Sequence, residues 1–313
     1  MTNEFVDLKE NMTVEQALKK VKKIGIDKET IYTCYVLNMS RKLIGVVTAK
    51  DLLLADDDKL IKDIMDTNII SVNTLEDKEV VARTFDKYDI IVLPVVDMEN
   101  RLVGIITIDD AIDVIQDENT EDFAKMAAIT PTDDSYFKTS VFAHAKHRII
   151  WLLLLMFSAM ITGGIITNYE NAFAAVPILV SFIPMIMDTG GNCGSQTSTL
   201  IIRGLAMEEI KLKDFWRALW KEIRVALIVG VLLAVINAIR IVIQYHDVSL
   251  AVTVGVTLMA TVILSKTLGC ILPILAKKLK LDPAIMAAPL ITTVVDTCSV
   301  LIFFNVAVMI MQI

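Results

Sequence analysis

The sequence predicts a soluble α+β region of two repeats, joined by an acidic connecting helix to an all-α membrane domain of five helices. Charge is divided unevenly between these parts: residues 1–147 hold 18 Lys and Arg against 28 Asp and Glu, and residues 148–313 hold 12 against 9. A strand-and-helix pattern occurs twice in the first part. The second part contains apolar runs near the roughly 20 residues that a membrane helix needs.

The charge balance and the cysteines narrow the functional classes. An acidic soluble region argues against nucleic acid as a partner and favours cations. The opening residues, MTNEFVDLKE, are polar, so no cleavable signal peptide is expected. The cysteines show neither zinc-ligand spacing nor a disulfide framework, and they are expected to be reduced packing residues: Cys34, Cys193, Cys270 and Cys298.

Two similar segments define the predicted repeats over 1–57 and 58–116. RKLIGVVTAKDLL begins at Arg41 and RLVGIITIDDAI begins at Arg101. In each, a β-branched run predicts a strand, and the Asp that follows can cap a helix. A helical pattern and another strand precede each segment, so the predicted unit is helix–strand–strand–helix. Two such units can bury a shared apolar face that one alone cannot.

The two segments also share a T-x-x-D motif, Thr48 to Asp51 and Thr107 to Asp110. With the repeated strand pattern around it, the region resembles a CBS-domain pair, which implies a cytosolic regulatory module. Pairs of that family often bind adenine nucleotides such as ATP, with the Thr and Asp near the ribose. These four residues are therefore candidate nucleotide-binding residues. The alternative is that the two aspartates only cap helices and bind nothing.

Residues 117–147 are predicted to form the acidic connecting helix, and the run of acids begins within the second repeat. In a helix, positions 110, 113, 117 and 121 share one face. Acids this dense repel one another unless cations neutralise them, which makes them candidate ligands of a regulatory metal; a solvated charged face is the alternative. The candidate regulatory residues are Asp109, Asp110, Asp113, Asp117, Glu118, Glu121 and Asp122.

Apolar runs within 148–313 predict five membrane helices. Lys and Arg are concentrated before the first run and in the connections after the second and fourth. Because positive charge favours the cytoplasmic side, the soluble region is expected in the cytoplasm and the C-terminus outside the plasma membrane. The predicted helices lie near 149–167, 172–202, 221–243, 249–276 and 284–313.

Two of these helices carry polar groups at membrane depth. Asp296 stands near the middle of the last run, where an Asp costs about 2.5–3.5 kcal/mol on insertion scales. Such an acid usually faces a bundle interior or a wet cavity and marks an ion path; a structural hydrogen bond to a neighbouring helix is the alternative. The second run contains glycines, amides and hydroxyls after Asp188, which are tolerated only against protein or water.

The polar second helix and the acidic fifth helix carry the most specific resemblance. PMIMDTGGNCGSQTSTLIIRGLA and DPAIMAAPLITTVVDTCSVLIFF resemble the second and fifth membrane helices of MgtE-type magnesium transporters. Family members typically have an additional N-terminal helical domain, and this chain begins directly at the CBS region. The resemblance implies a homodimer in a bacterial plasma membrane, with Mg²⁺ as the cargo and a pore that closes when metal binds the acidic segment. The implied pore residues are Asp296, Thr292, Thr293, Asn192, Gly190 and Gly191.

Lys266 is a second charge within a predicted membrane helix. It needs a partner or must extend to the interface, and Asp188 is the expected partner; snorkelling to the cytoplasmic interface is the alternative.

The sequence is also compatible with other functions. Oxygen ligands also accept Mn²⁺ or Co²⁺. Asp188-Thr189-Gly190 spells the D-T-G of aspartic proteases, with Asp296 as a second carboxylate. A membrane-tethered nucleotide sensor is a third possibility. Transport without an enzymatic activity is favoured, with membrane lipid and a second copy as the only partners expected.

Overall fold

The structure is a computed structural model that describes residues 1–132, 135–169, 174 and 176–312. These residues form two compact units. We call Met1–Asn119 the repeat unit and Thr120–Ile313 the helical unit, and each is described by itself.

The repeat unit contains two three-stranded sheets with the same topology. In each sheet the first strand runs parallel to the second, and the second runs antiparallel to the third. The first repeat contains β1 (Val6–Lys9), α1 (Val14–Ile24), β2 (Thr33–Leu37), β3 (Leu43–Thr48) and α2 (Ala49–Leu54). The second contains α3 (Ile61–Ile64), β4 (Val72–Asn73), α4 (Lys78–Tyr88), β5 (Val92–Val96), β6 (Leu102–Thr107) and the start of α5 (Ile108–Met126). The last residues of α5, 120–126, belong to the helical unit.

This topology confirms the predicted α+β class and adds one strand to each repeat. The sequence pattern predicted helix–strand–strand–helix, and the structure places β1 and β4 before it. β4 has only two residues, too few for an alternating pattern to be recognised. The central strand β5 is buried along its whole length, which is why its sequence VLPVV shows no polar alternation.

The predicted connecting helix over 117–147 differs from the structure. α5 begins at Ile108, as the last helix of the second repeat, and ends at Met126. Ala128 is left-handed, with φ of 54°, and Pro131 follows, so the chain cannot continue as a helix there. A new helix, α6, begins after Ser140, whose hydroxyl accepts a hydrogen bond from the Ala143 amide at 3.2 Å. Residues 133–134 lie outside the described part.

The helical unit contains, within the described residues, five helices of 24 or more residues. They are α6 (Val141–Asn168), α7 (Ile183–Ala206), α8 (Phe215–Tyr245), α9 (Val248–Lys278) and α10 (Ala288–Met311). Short 3₁₀ turns, Pro177–Phe182 and Pro283–Met286, precede α7 and α10. All of these except α7 are long and apolar enough to cross a membrane, and α7 falls short because of its polar residues.

α9 is the central helix of this unit and packs against α7, α8 and α10, while α10 also packs against α6 and α7. A core that includes Phe182, Val254, Phe303 and Phe304 is fully buried among these helices. Tyr169, at the end of α6, stacks on Phe304 with ring centroids 4.6 Å apart. The apolar side chains of α6 are otherwise largely exposed, as expected of a helix that faces lipid.

Candidate functional site

A cavity of about 400 Å³ lies between α7 and α10 in the helical unit. Its polar lining consists of Asp188 and Asn192 from α7, and Thr292 and Asp296 from α10. Asp188 and Asn192 are exposed in the single chain, whereas Asp296 is half-buried. The remaining lining residues are Ile183, Pro184, Met187 and Gly191.

Helical spacing explains how α7 presents polar groups to this cavity. Asp188 and Asn192 are four residues apart and lie on one face of the helix. The opposite side is packed: a Cβ on Gly190 would lie 2.7 Å from Thr261 Cγ2 and 2.8 Å from Val295 Cγ1. Only a glycine allows helices this close. The small residues of α7 therefore bring it against α9 and α10 and leave its polar face unpacked.

On α10, the threonine hydroxyls bond to the backbone of their own helix. Thr292 Oγ1 donates to the Pro289 carbonyl at 2.9 Å, and Thr293 Oγ1 donates to the Leu290 carbonyl at 2.9 Å. Each hydroxyl proton is thereby used, and the oxygen lone pairs remain as acceptors. The Thr292 oxygen lies in the cavity lining and can accept a hydrogen bond from water.

The structure thus brings together four of the six predicted pore residues: Asp296, Thr292, Asn192 and Gly191. Gly190 and Thr293 are not in the lining; Gly190 is a packing position. Asp188, the predicted partner of Lys266, belongs to the cavity instead. The lining therefore holds two carboxylates, with no Lys, Arg or His among the residues that form it. This arrangement favours a cation in the cavity.

The predicted pair of Lys266 with Asp188 is wrong. Lys266 is 5% exposed, so it does not extend to the interface, and its ammonium lies 3.8 Å from Glu222 Oε2 of α8. It also donates to Thr197 Oγ1 at 3.1 Å. Thr197 and Asp188 are nine residues apart on α7, a rotation of about 180°, so a lysine that reaches one faces away from the other. Glu222 was missed because it lies at the start of a run that also contains basic residues.

The acids of α5 are mostly paired with nearby groups. The Thr107 hydroxyl bonds to Asp109 and holds the pKa of that carboxyl below its ordinary value. Glu118 lies 2.8 Å from Lys78, and Glu121 lies 2.6 Å from Lys125. In the described part of the chain, no three His, Cys, Asp or Glu side chains come together to hold a metal. Asp110 pairs with the N-terminal ammonium of Met1 at 3.1 Å. The remaining predicted regulatory residues on this helix are Asp113, Asp117 and Asp122.

Glu118 also meets a second carboxyl within the repeat unit. Burial raises the pKa of Glu79 on α4, and a hydrogen bond shared with Glu118 raises it further. Arg83 lies 2.8 Å from Glu79 and opposes this rise in pKa, and Lys78 lies 2.8 Å from Glu118. The two carboxyls still disfavour double ionisation, so this point between α4 and α5 favours a proton or a further cation.

Within the helical unit, Lys125 near the end of α5 contacts the turn that precedes α10. Lys125 donates to Asp282 Oδ2 at 2.6 Å and pairs with Glu121 at the same distance. Burial opposes the charge of Lys125, but these two carboxylates outweigh it and raise its pKa above the ordinary value. Asp282 Oδ1 accepts from the Ala284 amide at 2.8 Å and so caps the turn Pro283–Met286. One carboxylate therefore contacts both segments.

The two predicted nucleotide-binding motifs differ in the structure. Thr48 and Asp51 form a capping box at the start of α2, in which each side chain bonds to the backbone amide of the other. In the second repeat, Asp110 lines a cavity of about 420 Å³. Polar residues in and after β4 and at the start of α4, among them Thr74 and Lys78, line the same cavity. Asp51 therefore caps a helix, which was the alternative to nucleotide binding. Asp110 instead lines a cavity large enough for a small ligand.

Comparison with known proteins gives matches along nearly the whole chain. Residues 183–306 match the family described as MgtE, divalent cation transporter, and residues 1–58 and 61–117 match the CBS domain. The magnesium transporter MgtE of Bacillus subtilis (strain 168) is 39% identical over 307 residues, which cover 98% of this chain and 68% of that protein. The magnesium transporter MgtE of Thermus thermophilus is 38% identical over 312 residues, which cover 100% of this chain and 69% of that protein.

Solved structures match the soluble part. The soluble part of a magnesium transporter is 45% identical and covers 38% of this chain and 46% of its own, with a TM-score of 0.37. The cytosolic domain of the Mg²⁺ channel MgtE in complex with ATP is 46% identical and covers 36% of this chain and 46% of its own, with a TM-score of 0.36.

Proposed function

Because the chain belongs to the MgtE family of divalent cation transporters, we propose that it carries Mg²⁺ through the cavity between α7 and α10. Membership makes the chain a membrane transporter and not an enzyme. The observation that carries the proposal is the cavity lined by Asp188, Asn192, Thr292 and Asp296, which offers carboxylate and neutral oxygens and no cationic side chain.

These oxygens suit a hydrated magnesium ion. Mg²⁺ takes six oxygens at about 2.0–2.1 Å and gives up its water reluctantly, so a path can hold the ion by its water shell. Inward movement needs no separate energy source, because a doubly charged ion gains about 4.6 kcal/mol per 100 mV at an inside-negative potential. Mn²⁺ and Co²⁺ share the preference for oxygen in part and are the competing cargoes.

We propose that the working form is a homodimer in which the two cavities face a shared path. In the single chain, Asp188, Asn192, Gln196 and Thr199 are exposed on a helix that is packed among membrane helices. Polar side chains at membrane depth require protein or water as neighbours. A second copy related by two-fold symmetry would place protein and a water-filled path beside these side chains. It would also bring a second Asp296 carboxylate, so that two negative charges face one divalent cation.

The proposed orientation follows the sequence. The repeat unit lies in the cytoplasm, the C-terminus lies outside, and the host membrane is a bacterial plasma membrane, since Lys and Arg are concentrated at one side of the predicted helices.

Cytosolic Mg²⁺ is proposed to close the path through the acids of α5. Glu118 raises the pKa of Glu79 even though Arg83 pairs with Glu79, and a divalent ion at this point would relieve the repulsion that remains between the two carboxylates. Ions at these acids favour an assembled, closed state, and their loss at low Mg²⁺ lets the acids repel and the path open. Such gating needs only a higher affinity of the ion for the closed state. Inhibition of uptake that persists unchanged in Asp113→Asn/Asp117→Asn/Glu121→Gln contradicts this role.

The cavity beside Asp110 is proposed to accept an adenine nucleotide. Its volume and its mixture of apolar, hydroxyl and charged lining residues support the assignment. Titration of the detergent-solubilised chain with ATP, compared with Asp110→Asn, tests it: equal affinities of the two proteins contradict the role of Asp110.

The experiment for the main proposal is Mg²⁺ uptake in proteoliposomes, supported by growth of a magnesium-transport-deficient bacterium. The wild type is expected to take up Mg²⁺ and to restore growth, and Asp296→Ala to do neither. Glu209→Gln is the matched control, because Glu209 is an exposed acid in the connection between α7 and α8. Equal uptake by the wild type and Asp296→Ala overturns the proposed path.

A further inference from the structure

Three helices of the helical unit contribute one polar side chain each to a single buried site. Lys266 Nζ of α9 donates to Thr197 Oγ1 of α7 at 3.1 Å, and Thr197 Oγ1 donates to Glu222 Oε2 of α8 at 2.8 Å. Thr197 is fully buried and Lys266 nearly so. Because an ammonium only donates and a carboxylate only accepts, the hydroxyl bridges the two charges in one direction.

Stability alone is a weak reason for this site. Removing an ion pair from water costs about as much as the attraction returns, and apolar side chains of similar volume often stabilise a protein as well. Charged groups within membrane domains are more often part of the working machinery. The position of Thr197 on α7 indicates what this site does.

Thr197 belongs to the packed face of α7. Its neighbour Ser198 donates to the Met286 carbonyl, in the turn before α10, at 2.7 Å. One turn earlier, the Gly194 carbonyl oxygen lies where a Cβ on Gly269 would be only 2.5 Å away. These contacts hold the same face of α7 as Thr197 closely against α9 and the turn before α10. Asn192, five residues before Thr197, is rotated by about 140° and lies towards the cavity.

We propose that Lys266 and Glu222 are positioning residues for the cation path. Through Thr197 they fix the rotation of α7, and this rotation directs Asp188 and Asn192 into the cavity. The inference rests on the proposed function, since the path is the one proposed above. The two charges cancel, so they hold the helix without adding net charge beside the route of a divalent cation.

The first test replaces the bridging hydroxyl and leaves the shape of the side chain unchanged. Thr197→Val is expected to raise the KM for Mg²⁺ uptake at least fivefold in proteoliposomes that contain equal amounts of folded protein, while Thr197→Ser stays within twofold. Thr257→Val is the matched control, because Thr257 is also fully buried but donates only to Thr253 O of its own helix, at 2.8 Å. An unchanged KM in Thr197→Val overturns the proposal. A fall in the maximal rate alone does not support it, because a purely structural role of Thr197 lowers the amount of active protein and leaves the KM unchanged.

The second test is independent of transport. In a background with the four native cysteines changed to alanine, Asn192→Cys is labelled with a cationic, water-soluble thiol reagent. Adding Thr197→Val is expected to change the labelling rate at least threefold, and equal rates overturn the proposal. If the wild type carries no divalent cation, the proposed function fails, and the labelling rates still decide whether the site positions α7.

Discussion

The replacement Asp296→Asn removes the charge of the cavity carboxylate and keeps the shape of its side chain. Asp296 is half-buried in the wall of a cavity of about 400 Å³ that contains no cationic side chain among its lining residues. A carboxylate that touches an ion through its water shell acts at about 5 Å. At an effective dielectric constant of about 20, unit charges at that distance interact by about 3.3 kcal/mol, and a divalent ion doubles the value.

Water in the cavity weakens this interaction. If only a third of the energy remains, about 2.2 kcal/mol, the occupancy of the path by Mg²⁺ still falls about 40-fold. We therefore expect Asp296→Asn to take up Mg²⁺ at least 40-fold more slowly than the wild type at a Mg²⁺ concentration below the KM. Asp188→Asn, which alters an exposed carboxylate of the same cavity, is expected to have a smaller effect.

The assay is the initial rate of Mg²⁺ uptake into proteoliposomes that contain a magnesium-sensitive dye, at a fixed membrane potential. Equal reconstitution of the two proteins is checked by size-exclusion chromatography and by the protein content of the vesicles. An uptake rate for Asp296→Asn within threefold of the wild type refutes the reasoning, because the charge then contributes less than about 0.7 kcal/mol.

Further predictions concern stability and gating. The pKa of Glu79 is raised in the folded chain, so its neutral form stabilises the fold below about pH 4.5, and this stabilisation is lost as the pH rises through the folded pKa. Because Gln imitates the neutral carboxyl, Glu79→Gln should raise the melting temperature more at pH 7.5 than at pH 4.5. An equal rise at both pH values contradicts this. Lys125→Met breaks the ion pair with Asp282. If this pair belongs to the proposed closed state, the variant should raise the internal Mg²⁺ concentration for half-inhibition at least threefold, and an unchanged inhibition curve contradicts this. Gly269→Ala places a Cβ 2.5 Å from a backbone carbonyl oxygen and should destabilise the helical unit by about 1–3 kcal/mol. Gly164→Ala, with open space at its Cβ, is the control, and equal melting temperatures of the two variants contradict the packing argument.

Local patterns in the sequence were sufficient for the main features of the fold. The strands of each repeat follow from runs such as LIGVVT and LVGIIT, and the helices of the helical unit follow from long apolar runs. The polar residues of α7 indicated one wall of the cavity, because polar side chains at membrane depth are tolerated only against protein or water. Asp296 identified the other wall for the same reason.

Features that depend on helix rotation could not be read from the sequence. The partner of Lys266 is Glu222 and not Asp188, because helix packing turns Asp188 towards the cavity and Thr197 towards α9. Gly190 and Asn192 are only two residues apart, yet one packs against neighbouring helices and the other lines the cavity. The extent of α5 was also mispredicted. The acidic composition suggested a helix that begins at residue 117, whereas α5 begins at Ile108 and ends at Met126.

The most direct test of the account is the structure of the full-length protein in lipid nanodiscs with Mg²⁺, determined at a resolution that shows ordered ions. We predict a two-fold dimer in which both Asp296 carboxylates face one ion on the axis, at about 4–5 Å from it through ordered water. Two Asp296 side chains directed towards lipid or towards separate protein cores, with no ion between the two copies, contradict the central claim.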